Sequence, residues 1–149
     1  MEIRRSVPAD AKEIARLEEE IFSDPWTEAS IISTISTEGS MCYSALSDGE
    51  LCAYIIARQI PPEGEIYRIA THPDKRRRGI AVRLLSYAIK TERGRGLESL
   101  FLEVRERNTP ARRLYTECGF VEVGLRKNYY KNPDDNAVIM LLSSEESER

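Results

Sequence analysis

The run Arg76-Arg77-Arg78-Gly79-Ile80-Ala81 lies between a β-type segment ending near Pro73 and a helix-type segment beginning near Gly79. The first N–H groups of a helix have no partner within it, and the macrodipole places partial positive charge there, so such a junction attracts anions. Gly79 has no Cβ and Ala81 is small, which would let a phosphate approach the backbone. Taken alone, the spacing R-x-x-G-x-A fits a basic helix start facing water just as well.

Four further positions could do chemistry. Glu103 interrupts the apolar run Leu100–Val104, where a carboxylate is costly unless it is hydrogen-bonded or faces water. It reads either as a solvent-facing strand position or as a general base whose pKa is raised by partial burial. Tyr115 shares a helix face with Ala111, Leu114 and Cys118; it reads as a core tyrosine or, if its hydroxyl reaches a cleft, as a general acid. Cys118 has no histidine but His72 to activate it, so a nucleophilic role is not expected. Asn108 suits a helix cap and could also meet a ligand amide. Trp26, after Asp24-Pro25, is a packing anchor or one wall of a substrate mouth. The pair Tyr129-Tyr130 in a late loop suits a binding surface, and His72 before Pro73 reads as a base or, more commonly for a loop histidine, as a cap or a solvated position.

The elements that must position these residues follow from periodicity. A short strand at Ile3-Arg4-Arg5 precedes a helix opened by Pro8, with Ile14, Leu17 and Ile21 on one face. Thr27 caps a second helix carrying Ile31, Ile32 and Ile35. Strand-type runs Met41–Leu46 and Leu51–Ile60 flank Ser47-Asp48-Gly49, a hairpin turn, and a third run, Glu65–Thr71, follows Pro61-Pro62-Glu63-Gly64. Ile80/Ala81, Leu84/Leu85 and Ala88/Ile89 recur every four residues up to Gly94, an amphipathic helix. Ser99–Arg105 alternates as a strand, with Leu100, Leu102 and Val104 opposite Phe101, Glu103 and Arg105. Asn108 and Pro110 start a last helix that Gly119 ends, and Phe120–Gly124 and Ala137–Leu142 close the chain. The predicted order is βααβββαβαββ, one α/β domain over residues 1–143 followed by an acidic tail, 144–149.

Bulk properties bound the function. At 149 residues, 41% hydrophobic and 32% charged, the chain suits a single soluble core. It has no apolar run of about 18 residues and no signal-like start, so the cytoplasm is expected, without membrane attachment. Cys42, Cys52 and Cys118 lack C-x-x-C spacing and His72 cannot complete a zinc set, so reduced thiols and no metal are expected. Formal charge is −3, yet Lys75–Arg95 is basic, which suits a phosphorylated small molecule better than direct contact with nucleic acid.

Read in order, Ile69-Ala70-Thr71-His72-Pro73, Arg76-x-x-Gly79-x-Ala81, Leu102-Glu103-Val104-Arg105, Asn108 and Ala111-x-x-Leu114-Tyr115-x-x-x-Gly119-Phe120 resemble the GCN5-related N-acetyltransferase (GNAT) family over nearly the whole chain. Asp24-Pro25-Trp26-Thr27, Leu102-Glu103-Val104-Arg105 and Asn128-Tyr129-Tyr130 resemble its RimI-type branch, which acetylates the N-terminal alanine of a ribosomal small-subunit protein. Ala81 stands where glycine is commonest, and Asp135-Asn136 where that branch more often has Glu-Asp.

The resemblance implies a mixed central sheet with a splay between the fourth and fifth strands, and acetyl-CoA as co-substrate. Its pyrophosphate would lie on Arg76, Arg77, Arg78, Gly79, Ile80, Ala81 and Val82, its pantetheine along Ile69, Ala70 and Thr71, with Asn108 and Tyr115 as further contacts. It also implies Glu103 as general base, Tyr115 as general acid, Trp26, Tyr129 and Tyr130 toward the acceptor, and a ribosomal protein N-terminus as substrate. A monomer or weak dimer is expected. Acetylation of other N-termini, lysine or small amines, and a CoA-binding module without catalysis, remain open at this level.

Overall fold

The computed structural model describes residues 1–143; the acidic tail expected at 144–149 lies outside the described residues. They form seven strands, β1 (Glu2–Arg5), β2 (Tyr43–Ser47), β3 (Glu50–Ile60), β4 (Glu63–Thr71), β5 (Ser99–Arg105), β6 (Val121–Tyr130) and β7 (Asp135–Ser143). Four helices join them: α1 (Ala11–Ile21), α2 (Glu28–Ser36), α3 (Ile80–Arg93) and α4 (Thr109–Glu117). The order βααβββαβαββ is the one predicted. Short 3-10 turns at Pro8–Asp10 and Pro73–Lys75 precede α1 and the basic loop.

One sheet runs β1-β2-β3-β4-β5-β7-β6, antiparallel except where β4 and β5 run parallel across the α3 crossover. Parallel neighbours need such a crossover, whereas β2 and β3 are joined by Asp48-Gly49, both at positive φ (51° and 79°), as a two-residue hairpin turn requires. On one face Leu84, Leu85, Ala88 and Ile89 of α3 and Tyr115 of α4 pack on Ala53, Ile55, Leu100, Leu102 and Val138. On the other, Ala11, Ile14 and Leu17 of α1 and Ile31 of α2 cover Tyr54, Ile56 and Ala70. Of the apolar residues expected on α2, Ile32 instead faces out.

Two local departures from regularity shape the sheet's centre. The β4–β5 ladder pairs Glu63–Ile66 with Ser99–Leu102 and then stops, while β4 continues beside β3 and β5 beside β7. This is the splay between the fourth and fifth strands. In addition, Ile56 pairs with Arg68 and Ala57 with Ile66, so Tyr67 is an extra residue on β4. A bulge puts two consecutive side chains on one side of a strand. Here they are Tyr67 and Arg68, on the face covered by α1 and α2.

The last hairpin differs from expectation. Tyr129 and Tyr130 belong to β6, which continues to Tyr130 rather than ending at Gly124, and Phe120 precedes the strand as a buried core residue. As an edge strand with Val121 to Tyr129 all exposed, β6 carries no alternation for periodicity to detect.

Candidate functional site

The splay leaves strand edges without neighbours. His72 N–H bonds the Cys52 carbonyl at 2.7 Å, so by the two-residue alternation of an antiparallel ladder Ala70 turns its backbone toward β3. Ile69 and Thr71 then turn theirs into the opening. Of the three residues expected along the pantetheine, Ile69 turns its N–H and carbonyl to this edge and Thr71 its N–H, while the Thr71 carbonyl accepts from Arg76 Nε at 3.3 Å.

The basic loop is built for close approach. Gly79 caps α3 at φ +73°, Arg77 also has positive φ at +66°, and no atom lies within 4 Å of where a Cβ on Gly79 would stand. The side chains of Arg76, Arg77 and Arg78 are exposed, Ile80 is buried against the core, and Ala81 and Val82 line the first turn half-buried. A backbone with positive φ at Arg77 and Gly79, an α3 N-terminus without a side-chain cap and three nearby guanidinium groups suit a diphosphate. His72 is occupied otherwise: its Nδ1 accepts from Asp74 N–H at 3.1 Å, capping the 3-10 turn.

On the α1/α2 face of β5, just beyond the last β4–β5 pair, stands Glu103, 18% exposed. Arg126 Nε lies 3.4 Å from its Oε2, yet that oxygen is buried and receives no hydrogen bond. Glu65, on the same face of β4, is the second carboxylate here. Burial pushes its pKa above the usual carboxylate range, the charge of Glu103 pushes it further, and Arg126 opposes both. A buried acceptor without a donor is rare in native proteins and marks a place where something else donates.

Two aromatic walls stand on the strands to either side of β5. Trp26, from the α1–α2 connection, stacks tilted against Tyr67 with centroids 5.8 Å apart. Across from them Tyr129 and Tyr130 meet edge to face at 5.1 Å, and Arg105 lies 4.4 Å over Tyr130 while donating to the Pro133 and Lys131 carbonyls at 2.7 and 2.9 Å. The two walls touch where Ser23 Oγ reaches the Asn132 carbonyl at 3.4 Å. Asp135 and Asn136, the positions at variance with the branch pattern, brace the second wall: Asp135 accepts from Arg107 N–H at 3.2 Å, and Asn136 accepts from Asn128 N–H at 2.9 Å.

Tyr115 lies on the opposite face of the sheet, in the core shared with α3. It is 5% exposed, packs edge to face on Phe120 at 5.6 Å, and its hydroxyl makes no hydrogen bond with the described residues. Burial raises its pKa above that of an ordinary phenol, with Tyr130 and Cys118 adding to the rise and Arg68 opposing it. Asn108, an exposed residue, accepts at Oδ1 from Ala111 N–H at 3.2 Å and caps α4. Burial pushes the Cys118 thiol up, which does not favour a thiolate nucleophile. Among the described residues no three His, Cys, Asp or Glu side chains are grouped to hold a metal ion, and no helix is long and apolar enough to cross a membrane.

Sequence reasoning missed Tyr67, Arg68, Glu18 and Arg126. The first two depend on the bulge, and Glu18 reads locally as one more acid in the run Glu18-Glu19-Glu20.

Comparison with known proteins agrees with this geometry. The model of the acetyltransferase (GNAT) family matches residues 11–120. A ribosomal protein bS18-alanine N-acetyltransferase of Haemophilus ducreyi is 30% identical over 143 residues, 94% of this chain and 98% of that protein. An N-alpha-acetyltransferase of Mycobacterium tuberculosis is 36% identical over 138 residues, 89% of this chain and 85% of its own. The crystal structure of the ribosomal-protein-S18-alanine N-acetyltransferase from Escherichia coli superposes with a TM-score of 0.88 at 30% identity, covering 95% of this chain and 92% of that one.

Proposed function

The chain belongs to the acetyltransferase (GNAT) family and is an N-acetyltransferase, and on that premise we propose that it acetylates the α-amino group of an N-terminal alanine on a ribosomal small-subunit protein. The observation that carries this reading is the unsatisfied Glu103 Oε2, placed between two aromatic walls at the mouth of the splay. The names of the relatives supply the substrate class.

Acetyl-CoA, when bound, supplies an acetyl group activated as a thioester. The residues present fit it: the loop from Arg76 to Val82 would hold the diphosphate, Ile69 and Thr71 would pair with the pantetheine amides, and Asn108 has a free amide nitrogen for the same ligand. An α-amine has a pKa of about 7.7–8.0, so near neutrality most of it is protonated and needs a base. Glu103 takes that proton, directly or through one water, and frees the amine's lone pair to form the new C–N bond. An edge N–H of Ile69 or Thr71 donates to the carbonyl oxygen as charge develops there. As the C–S bond breaks, the Tyr115 hydroxyl gives its proton to the departing sulfur, and the second proton that the nitrogen sheds as the amide forms restores the phenol through solvent. No residue is acylated on this route.

The names of the relatives, an alanine N-acetyltransferase and an N-alpha-acetyltransferase, favour a chain end as acceptor over an internal lysine. Mass spectrometry of alanine-initiated peptides and of small-subunit ribosomal proteins after incubation with acetyl-CoA tests the proposal. Acetyl addition at the first residue is expected; modification confined to lysine side chains would overturn it.

A further inference from the structure

Glu18 and Arg68 are charged, buried and unused by the chemistry above. Glu18 of α1 is 0% exposed and the Arg68 side chain 15%. A buried carboxylate is tolerated only when its oxygens are fully engaged. Glu18 Oε1 accepts from Arg68 Nε at 3.1 Å and from Trp26 backbone N–H at 3.0 Å, and its Oε2 accepts from the Tyr54 hydroxyl at 2.5 Å. Arg68 does more than neutralise it. Its Nη2 donates to the Asp24 carbonyl at 2.7 Å, and its guanidinium lies 3.8 Å over the Phe22 ring.

These contacts converge on one segment, the connection from Phe22 to Thr27 between α1 and α2. Arg68 holds it at Phe22 and Asp24, and Glu18 holds it at Trp26. The bulge in β4 sets Arg68 beside Tyr67, so the residue that grips the backbone of the connection adjoins the residue that stacks on its indole. A pair serving only to neutralise a buried charge would need the Nε contact alone; three of the four Arg68 contacts, to the Asp24 carbonyl, the Asp24 carboxylate and the Phe22 ring, go to the connection instead.

We propose that Arg68, anchored by Glu18, is a positioning residue for the acceptor: it holds Trp26 and Tyr67 as a preformed wall beside Glu103 before substrate arrives. This rests on reading Trp26 as part of the acceptor site. Ordering a loop at the moment of binding weakens binding, so a wall fixed in advance lowers KM for the acceptor and leaves the acetyl donor unaffected.

Arg68→Lys tests it, because an ammonium can still neutralise Glu18 but cannot also span the Asp24 carbonyl and stack flat on Phe22. The expected result is KM for an alanine-initiated peptide raised about tenfold, the scale of one charge-assisted hydrogen bond, with KM for acetyl-CoA unchanged. Trp26 is the only tryptophan, so its fluorescence reports the wall without reference to activity. Quenching by acrylamide should increase in Arg68→Lys and, to a smaller degree, in Phe22→Leu, which keeps the ion pair. Should the wild type prove inactive on alanine peptides while quenching still responds, the positioning role stands and the acceptor assignment falls. Unchanged quenching in both variants, or equal losses in both KM values, would overturn the positioning role.

Discussion

Arg126 Nε and Glu103 Oε2 lie 3.4 Å apart without forming a hydrogen bond, and that buried oxygen has no other donor among the described residues. The guanidinium supplies attraction without using the acceptor's lone pair. Glu103 is thereby left with one buried oxygen that accepts no hydrogen bond from the described residues, as the proposed role of general base requires. Glu103→Gln should keep the fold and acetyl-CoA binding and lower kcat by about 10²- to 10⁴-fold, the range for a lost general base. Steady-state kinetics with calorimetric CoA titration checks both halves; full turnover in the variant would remove Glu103 from the chemistry.

Tyr115 differs from an ordinary phenol in holding its proton more tightly, which keeps it in the donor form while making it a weaker acid. Burial raises its pKa, so it keeps its proton beyond the usual value of about 10. The rate profile should therefore show no alkaline limb from Tyr115 below about pH 10. Tyr115→Phe should lower kcat with little change in Tm, since the hydroxyl makes no hydrogen bond with the described residues. A variant with unchanged kcat would count against a role as acid.

Gly79 separates backbone strain from ligand contact. A side chain there meets no protein atom within 4 Å but must sit at φ +73°. Gly79→Ala should cost about 1–2 kcal/mol of stability from the left-handed backbone. KM for acetyl-CoA should rise by more than tenfold besides, because the methyl occupies the space offered to the diphosphate. Loss of stability with an unchanged KM would move the phosphate site elsewhere. Raising ionic strength from about 0.05 to 0.5 M should also raise this KM, since the three arginines are exposed and readily screened.

Glu65 gives a stability signature. Its pKa is raised in the folded protein by burial and then by Glu103, so its carboxylate form opposes folding. A group shifted this way favours the folded state while protonated, and that advantage fades as pH rises through the raised pKa. Glu65→Gln should accordingly raise Tm near about pH 7 and make little difference near about pH 3, where both states hold the proton. Calorimetry at the two pH values decides it; a lower Tm at neutral pH would show that the carboxylate is favourable where it stands.

Much of the frame was legible because it rests on local signals. The alternation of Leu100, Leu102 and Val104 located β5 and set Glu103 on the opposite face, and the four-residue recurrence from Ile80 to Ile89 located α3. Thr27 and Asn108 were readable as caps because a cap acts within three residues, and both accept the bonds expected of them. The clamp on Trp26 left no such trace. Arg68 and Glu18 are fifty positions apart, and neither residue's neighbours announce the other. The extension of β6 was hidden for a different reason: a strand exposed throughout has no buried face to pattern.

The bulge in β4 carries a consequence for how this protein can change. Tyr67 is supernumerary to the ladder, so Ile66 and Arg68 hold consecutive β3 partners whatever stands between them, and Ile69 and Ala70 keep their places in opposite cores. Variation at this one position can therefore revise the surface shown to an acceptor while the rest of β4 stays in register. Such insulation lets a lineage explore new substrates by point mutation without first repairing its fold.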